Sequence, residues 1–241
     1  MNRRYLSALA SVLYFICFLS AAGMLAHALG IIEFRHGEKV ILGVLVVISA
    51  YAAVCFRCIA EPNSARRQKL VRRQLFFIFL FYLIMLIDFT LIDDSLGRDI
   101  FNVFNRGGEP LAEYIEKNTN LIPFETVKLF INAFKNGYLS PAAVAENILG
   151  NIVAFMPLPF FVVCLFKHFD RWYSVLAAVL GSVLTVELMQ LLFRTGSSDI
   201  DDVILNVSGA MLFYALLKNE KVGKGISRLT FGVWETVEKK I

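Results

Sequence analysis

From Tyr5 to Ile32 the chain carries no aspartate, glutamate, lysine or arginine, a stretch long enough to cross a lipid bilayer as one helix. Five more apolar segments follow. They are Val40–Phe56, Gln74–Ile92 with Asp88 inside it, Asn147–Phe166, Trp172–Phe193 with Glu187 inside it, and the shorter Val203–Leu217. Backbone in hydrocarbon must satisfy its own hydrogen bonds, so segments of this length fold as helices or not at all. Only 18% of the residues are charged, against about a quarter in a soluble domain. The pattern predicts an all-α integral membrane protein with about six transmembrane helices.

The positive residues orient these helices. Arg3 and Arg4 precede the first span, and Arg57, Arg66, Arg67, Lys69, Arg72 and Arg73 lie between the second and third. Lys167 and Arg171 join the fourth to the fifth, and Lys218, Lys221 and Lys224 follow the sixth. With six alternating helices all four clusters fall on one side, which the positive-inside rule makes the cytoplasm, with both termini inside. The net charge of +4 is therefore a topology signal, and no nucleic-acid partner is expected. Met1–Arg4 with Ala26-His27-Ala28 also fits a cleaved signal peptide, but the uncharged stretch is longer than a usual signal core. The first span is therefore expected to remain.

Two regions lie outside the spans. Residues 93–146 form an external segment too long for a plain connection. Within it, Thr126–Phe134 reads as an amphipathic helix with Val127, Phe130, Ile131 and Phe134 on one side. Ser140-Pro141 reads as an N-cap followed by proline in the first helical position, starting the helix that becomes span four. In the tail, Ile226, Leu229, Val233, Trp234, Val237 and Ile241 recur at three- and four-residue spacing opposite Lys224, Arg228, Glu235 and Lys239. That face suits either the inner membrane surface or a packing helix.

The chemistry-bearing residues gather in three of the six spans. Glu187, Gln190 and Arg194 stack on one face near the end of span five. Asp199, Asp202 and Asn206 stack likewise at the start of span six, and Asn147 and Asn151 lie one turn apart in span four with Gly150 between them. A charged group at the bilayer centre costs about 2.5–3.5 kcal/mol on insertion scales, so such a concentration marks a site or a buried polar network. With the inferred topology all of them fall in the outer half of the membrane. The guanidinium fork of Arg194 suits an external anion, or pairs with Asp199 or Asp202 across the hairpin. Glu187 suits acid–base chemistry or a hydrogen bond to a sugar, and the clustered carboxylates also suit a divalent cation. His27, His36 and His168 are scattered, Cys55 and Cys58 form a lone CxxC, and there is neither an HExxH nor a phosphate-cradling glycine loop. Neither a cofactor nor a dedicated metal centre is expected.

These residues resemble the VanZ-like family, named after a teicoplanin-resistance membrane protein of Gram-positive bacteria. The similarity runs from Asn120 to about Leu217. It takes in Asn120-Leu-Ile-Pro-Phe124, Glu146-Asn-Ile-Leu-Gly-Asn-Ile-Val-Ala-Phe155 with Pro157, Glu187-Leu-Met-Gln190, Arg194, and Asp199–Asp202 leading into Ile204-Leu-Asn206-Val-Ser-Gly209-Ala. Where the family reads Pro-Leu-Gly this chain has Pro157-Leu-Pro159, and its first hundred residues are expected to add nothing to the match.

The organisation expected is a three-helix membrane region over 1–92 and the external segment over 93–146. A VanZ-like three-helix core over 147–217 and a cytoplasmic amphipathic tail over 218–241 complete it. The resemblance implies a multi-pass protein of the bacterial cell membrane, surrounded by membrane lipids. Its outward pocket is expected to bind a cell-wall precursor or a lipid-linked envelope glycan, with an effect on glycopeptide susceptibility. Two other readings stay open: an intramembrane-site enzyme using Glu187 on an envelope lipid or glycan, and a transporter.

Overall fold

A computed structural model of the chain describes residues 2–28, 31–92, 110–166, 168–169 and 171–234. Six helices among them are long and apolar enough to cross a membrane: Arg3–Ala28, Gly37–Ala60, Ser64–Ile92, Pro141–Leu165, Trp172–Leu192 and Ile200–Leu217. The all-α, multi-span architecture follows. The chain divides into two compact units.

The first unit holds α1 (Arg3–Ala28), α2 (His36–Ala60), α3 (Ser64–Ile87) as far as Met85, and residues 224–234. Helices α1 and α2 pack along each other, and Tyr14 closes onto α3 by donating its hydroxyl to Gln74 Oε1 at 3.1 Å. Glu61-Pro62-Asn63 is the whole connection between α2 and α3, with the Asn63 side chain accepting from Arg66 N at 3.0 Å. The basic cluster read as a loop between spans two and three is thus mostly helical. Hydropathy marks where a helix leaves lipid, and α3 continues past that point into its charged first turns.

Helix α10 (Glu220–Leu229) stops before the tail's apolar periodicity does. Phe231 and Gly232 have φ of 51° and 83°, so the chain turns there. Val233 and Trp234 pack into the first unit, fixed by Tyr51 hydroxyl to Leu229 O at 2.8 Å and by Gln68 Nε2 to Gly232 O. The expected tail face is therefore split between a helix and a buried turn. Its later members, Val237 and Ile241, lie outside the described residues.

The second unit runs from Leu86 to Gly223. It opens with a π-helical turn at Asp88–Ile92. After residues 93–109, which lie outside the described set, come α4 (Leu111–Lys117), β1 (Thr119–Asn120), α5 (Glu125–Lys135), α6 (Pro141–Ala154), α7 (Pro157–Leu165), α8 (Trp172–Leu192), β2 (Ser198–Asp199) and α9 (Ile200–Leu217). The expected amphipathic helix is α5, and the expected cap at Ser140 is present, its hydroxyl accepting from Ala143 N at 3.1 Å.

The fourth span is broken. Helix α6 ends at Ala154 and α7 begins at Pro157, because proline has no N–H to continue the ladder and its ring clashes with the preceding turn. Pro159 stands within the first turn of α7, where a missing N–H costs nothing since that donor has no intrahelical partner. Close helix approach comes from Gly209 and not from Gly150. A Cβ at Gly150 would meet nothing within 4 Å, whereas one at Gly209 would lie 2.8 Å from the carbonyl carbon of Ile152, with the carbonyl oxygen nearer still. Helix α9 therefore crosses α6 backbone to backbone at Gly209.

Candidate functional site

Arg194, Thr195 and Gly196 follow α8 and lead to β2, and Arg194 takes a left-handed φ of 52°. Strand β2 pairs in parallel with β1, Thr119 opposite Ser198 and Asn120 opposite Asp199, and Ser198 N donates to Asn118 O at 2.9 Å. This two-residue pairing draws the connection before α5 against the turn between α8 and α9. Several orphan backbone donors then need acceptors, and acidic side chains supply them.

Asp199 caps α9, its carboxylate accepting from Asp201 N at 2.9 Å and from Asn120 Nδ2 at 3.3 Å. Its own N–H donates to Glu187 Oε2 at 3.1 Å, so Glu187, buried in α8, holds the start of α9. Asp201 is 1% exposed and reaches the other way. Its two oxygens accept from Phe124 N and, at 3.0 Å, from Val127 N, which caps α5 in place of the side chain that Phe124 lacks. Phe124 takes a left-handed φ of 64° to present that N–H. Asn120 Oδ1 accepts from Ile122 N at 3.0 Å, and its Nδ2 also donates to Thr126 Oγ1.

Asp202 reaches across to α6 and accepts from Asn151 Nδ2. One turn on, Asn206 donates its Nδ2 to Asp202 O at 2.8 Å. Gln190 turns towards the π-helical segment, donating Nε2 to Thr90 O at 3.1 Å. A π turn leaves the backbone register irregular, a feature frequent at functional sites. Arg194 stands with its guanidinium carbon 5.8 Å from the centre of the Tyr114 ring, and Tyr114 donates its hydroxyl to Gly196 O at 2.9 Å. Three buried polar atoms have no hydrogen-bond partner among the described residues, and two of them, Thr195 Oγ1 and Asn206 Oδ1, belong to this unit; the third is Trp234 Nε1 in the first unit.

Of the residues singled out by sequence, the structure links Glu187 to Asp199 and Asn151 to Asp202, with Asn206 following on the same helix. Asn147 is half-buried and makes no side-chain hydrogen bond among the described residues. Spacing did not single out Thr90, Tyr114 or Thr195, and Asn120 and Asp201 entered only as members of the family motifs. Asp201 falls off the face shared by Asp199, Asp202 and Asn206, yet a helix at Glu125 with no capping side chain before it was a signal that an acceptor must come from elsewhere. Among the described residues no three histidine, cysteine, aspartate or glutamate side chains group to hold a metal ion.

Fold and site define a multi-pass helical membrane protein whose last helical hairpin is tied to a preceding loop by buried acidic and amide side chains. The chain belongs to the VanZ/LLP1 family, whose model matches residues 79–221, more than half of its length. It is also 28% identical over 144 residues to Protein VanZ of Enterococcus faecium, an alignment that covers 60% of this chain and 71% of that protein. No solved structure matches it. The family match starts at 79, so the end of α3 and the π-helical turn belong to it, although the first hundred residues were expected to contribute nothing.

Proposed function

We propose that the second unit is a receptor site, open to the outer face of the membrane, for an anionic cell-wall precursor or lipid-linked envelope component. Sequestering that component would alter susceptibility to glycopeptides such as teicoplanin. The observation that carries this reading is the pair of buried polar atoms, Thr195 Oγ1 and Asn206 Oδ1, beside a network that otherwise satisfies its groups. A buried polar atom without a partner costs about 1–3 kcal/mol, which a ligand hydroxyl or amide would recover.

The roles divide. Glu187, Asp199 and Asp201 accept backbone N–H groups and hold α5, α8 and α9 in register, while Gln190 ties α8 to the π-helical turn. Arg194, positioned over Tyr114, is the cation that meets the ligand's anionic group, and its planar fork suits phosphate or carboxylate. Asn147, Asn151, Asp202 and Asn206 meet neutral polar groups of the same ligand. The basic clusters, read by the positive-inside rule, support an outward position for this end of the helices.

Native purification followed by mass spectrometry of co-purifying lipids and glycolipids tests the proposal, comparing the natural protein with Arg194→Ala at equal membrane abundance. Loss of one anionic species from the variant is the expected result. Equal lipid content in the two preparations would refute anion binding at Arg194.

A further inference from the structure

Residues 121–135 present an unusual surface for a segment read as external. Leu121 is 71% exposed and Ile122 63%, and Phe124, Leu129 and Phe134 are also open. No residue of α5 is buried, although the helix packs against α6 and α9. Its polar residues Glu125, Lys128, Asn132 and Lys135 share one arc, and Val127, Phe130, Ile131 and Phe134 share the opposite one. In water such a surface would be a liability.

Its depth can be read from α9. That helix has 18 residues, so at about 1.5 Å per residue it is roughly 27 Å long, barely the thickness of the hydrocarbon core. Its first turn must therefore stand at the membrane boundary. The N-terminus of α5 is hydrogen-bonded to that turn through Asp201, so α5 starts at the same level. The apolar surface is also continuous with a lipid-facing one, since Leu149 and Val153 are exposed on α6, the helix α5 packs against.

The backbone fits the same placement. Irregular backbone survives near lipid only when its polar groups are satisfied internally. Here Phe124 N and Val127 N are taken by Asp201, and Ile122 N by Asn120 Oδ1. Pro123 has no N–H to satisfy.

We propose that residues 121–135 are seated in the headgroup–acyl boundary of the bilayer, with Leu121, Ile122, Phe124 and Phe134 in lipid and Lys128 and Lys135 towards water. The proposal goes beyond the ligand-binding reading and does not depend on it. Interfacial helices of this kind carry a strongly polar face and an apolar one, as α5 does.

The test replaces the native cysteines Cys17, Cys55, Cys58 and Cys164 by alanine. Single cysteines are then introduced as Ile122→Cys, Phe134→Cys, Lys128→Cys and Lys135→Cys, each labelled with an environment-sensitive fluorophore in phosphatidylethanolamine–phosphatidylglycerol nanodiscs. Labels at 122 and 134 should emit further to the blue, lose fluorescence to doxyl-labelled phospholipid and resist iodide, with the reverse at 128 and 135. Iodide quenching at 122 and 134 equal to that at 128 would overturn the proposal. Shielding of 122 and 134 from both quenchers would also overturn it, because protein would then cover the face. If the cysteine-free chain does not fold, the natural protein is cross-linked to a diazirine phospholipid and digested. Labelled peptides from 121–135 support the placement, and labelling confined to the six spans contradicts it.

Discussion

Replacing Gly209 by alanine tests the packing on which the site depends. The new Cβ would stand 2.8 Å from the carbonyl carbon of Ile152, whereas non-bonded carbons settle at about 3.5–4.0 Å. The Ile152 carbonyl oxygen is nearer still, so helices α6 and α9 would have to part by more than about 1 Å, forfeiting at least a quarter to a half of the dispersion well at that contact. The obstacle is backbone and has no rotamer to escape through, which puts the cost at the upper end of the overpacking range, about 3 kcal/mol. Alanine returns up to about 1 kcal/mol through its better helix propensity, leaving a net loss of about 2 kcal/mol. For a chain of this size that is a fall in Tm of roughly 4–8 °C, measured as the heating temperature at which half of the nanodisc-embedded protein loses its native size-exclusion peak. Gly150→Ala is the control, because a Cβ there meets nothing within 4 Å, and its Tm should rise by about 1–4 °C. Ile152 adjoins Asn151, so Gly209→Ala should also break the Asn151–Asp202 hydrogen bond. A Gly209→Ala variant as stable as the natural protein would refute the backbone-to-backbone crossing.

Two further substitutions probe the caps. Asp201→Asn leaves one carbonyl oxygen for two backbone donors, so one amide loses its acceptor at about 1–3 kcal/mol, and hydrogen exchange across Ile122–Phe130 should accelerate while α8 stays protected. Ser140→Ala removes the acceptor for Ala143 N and should cost about 1 kcal/mol, read as faster exchange in the first turn of α6 with no change at α9.

Much of the fold was legible because lipid imposes one solution on long apolar segments. The six spans, the α5 periodicity and the Ser140-Pro141 start all follow from spacing and capping chemistry. What was not legible has identifiable causes. Two-residue strands leave no periodic trace, so the pairing of Thr119–Asn120 with Ser198–Asp199 appears only in three dimensions. The start of α3 was hidden by its own arginines. The turn at Phe231-Gly232 did have a signal, the glycine, which the apolar spacing on either side of it masked. A single glycine at 209 makes the close crossing without any GxxxG pattern, because which glycine faces a neighbour depends on helix rotation.

The acidic residues of the hairpin look wasteful in an apolar chain until the backbone donors they serve are counted. Breaking the helical path at Thr195–Ser198 and again at Leu121–Phe124 leaves N–H groups that no helix satisfies, and each would cost about 1–3 kcal/mol if buried without an acceptor. Glu187 takes Asp199 N, Asp199 takes Asp201 N, and Asp201 takes Phe124 N and Val127 N, a relay that runs from α8 through α9 to α5. Asp199 and Asp201 are each held through their own amide by the carboxylate before them, and each holds the amides that follow in the relay. Losing one link should therefore loosen elements at both ends, and Glu187 is the link whose loss would release the hairpin turn itself. On that logic Glu187, the residue best suited by type to catalysis, serves architecture, and under the proposed reading recognition would fall to groups outside the relay, among them Arg194 over Tyr114 and the buried oxygens of Thr195 and Asn206.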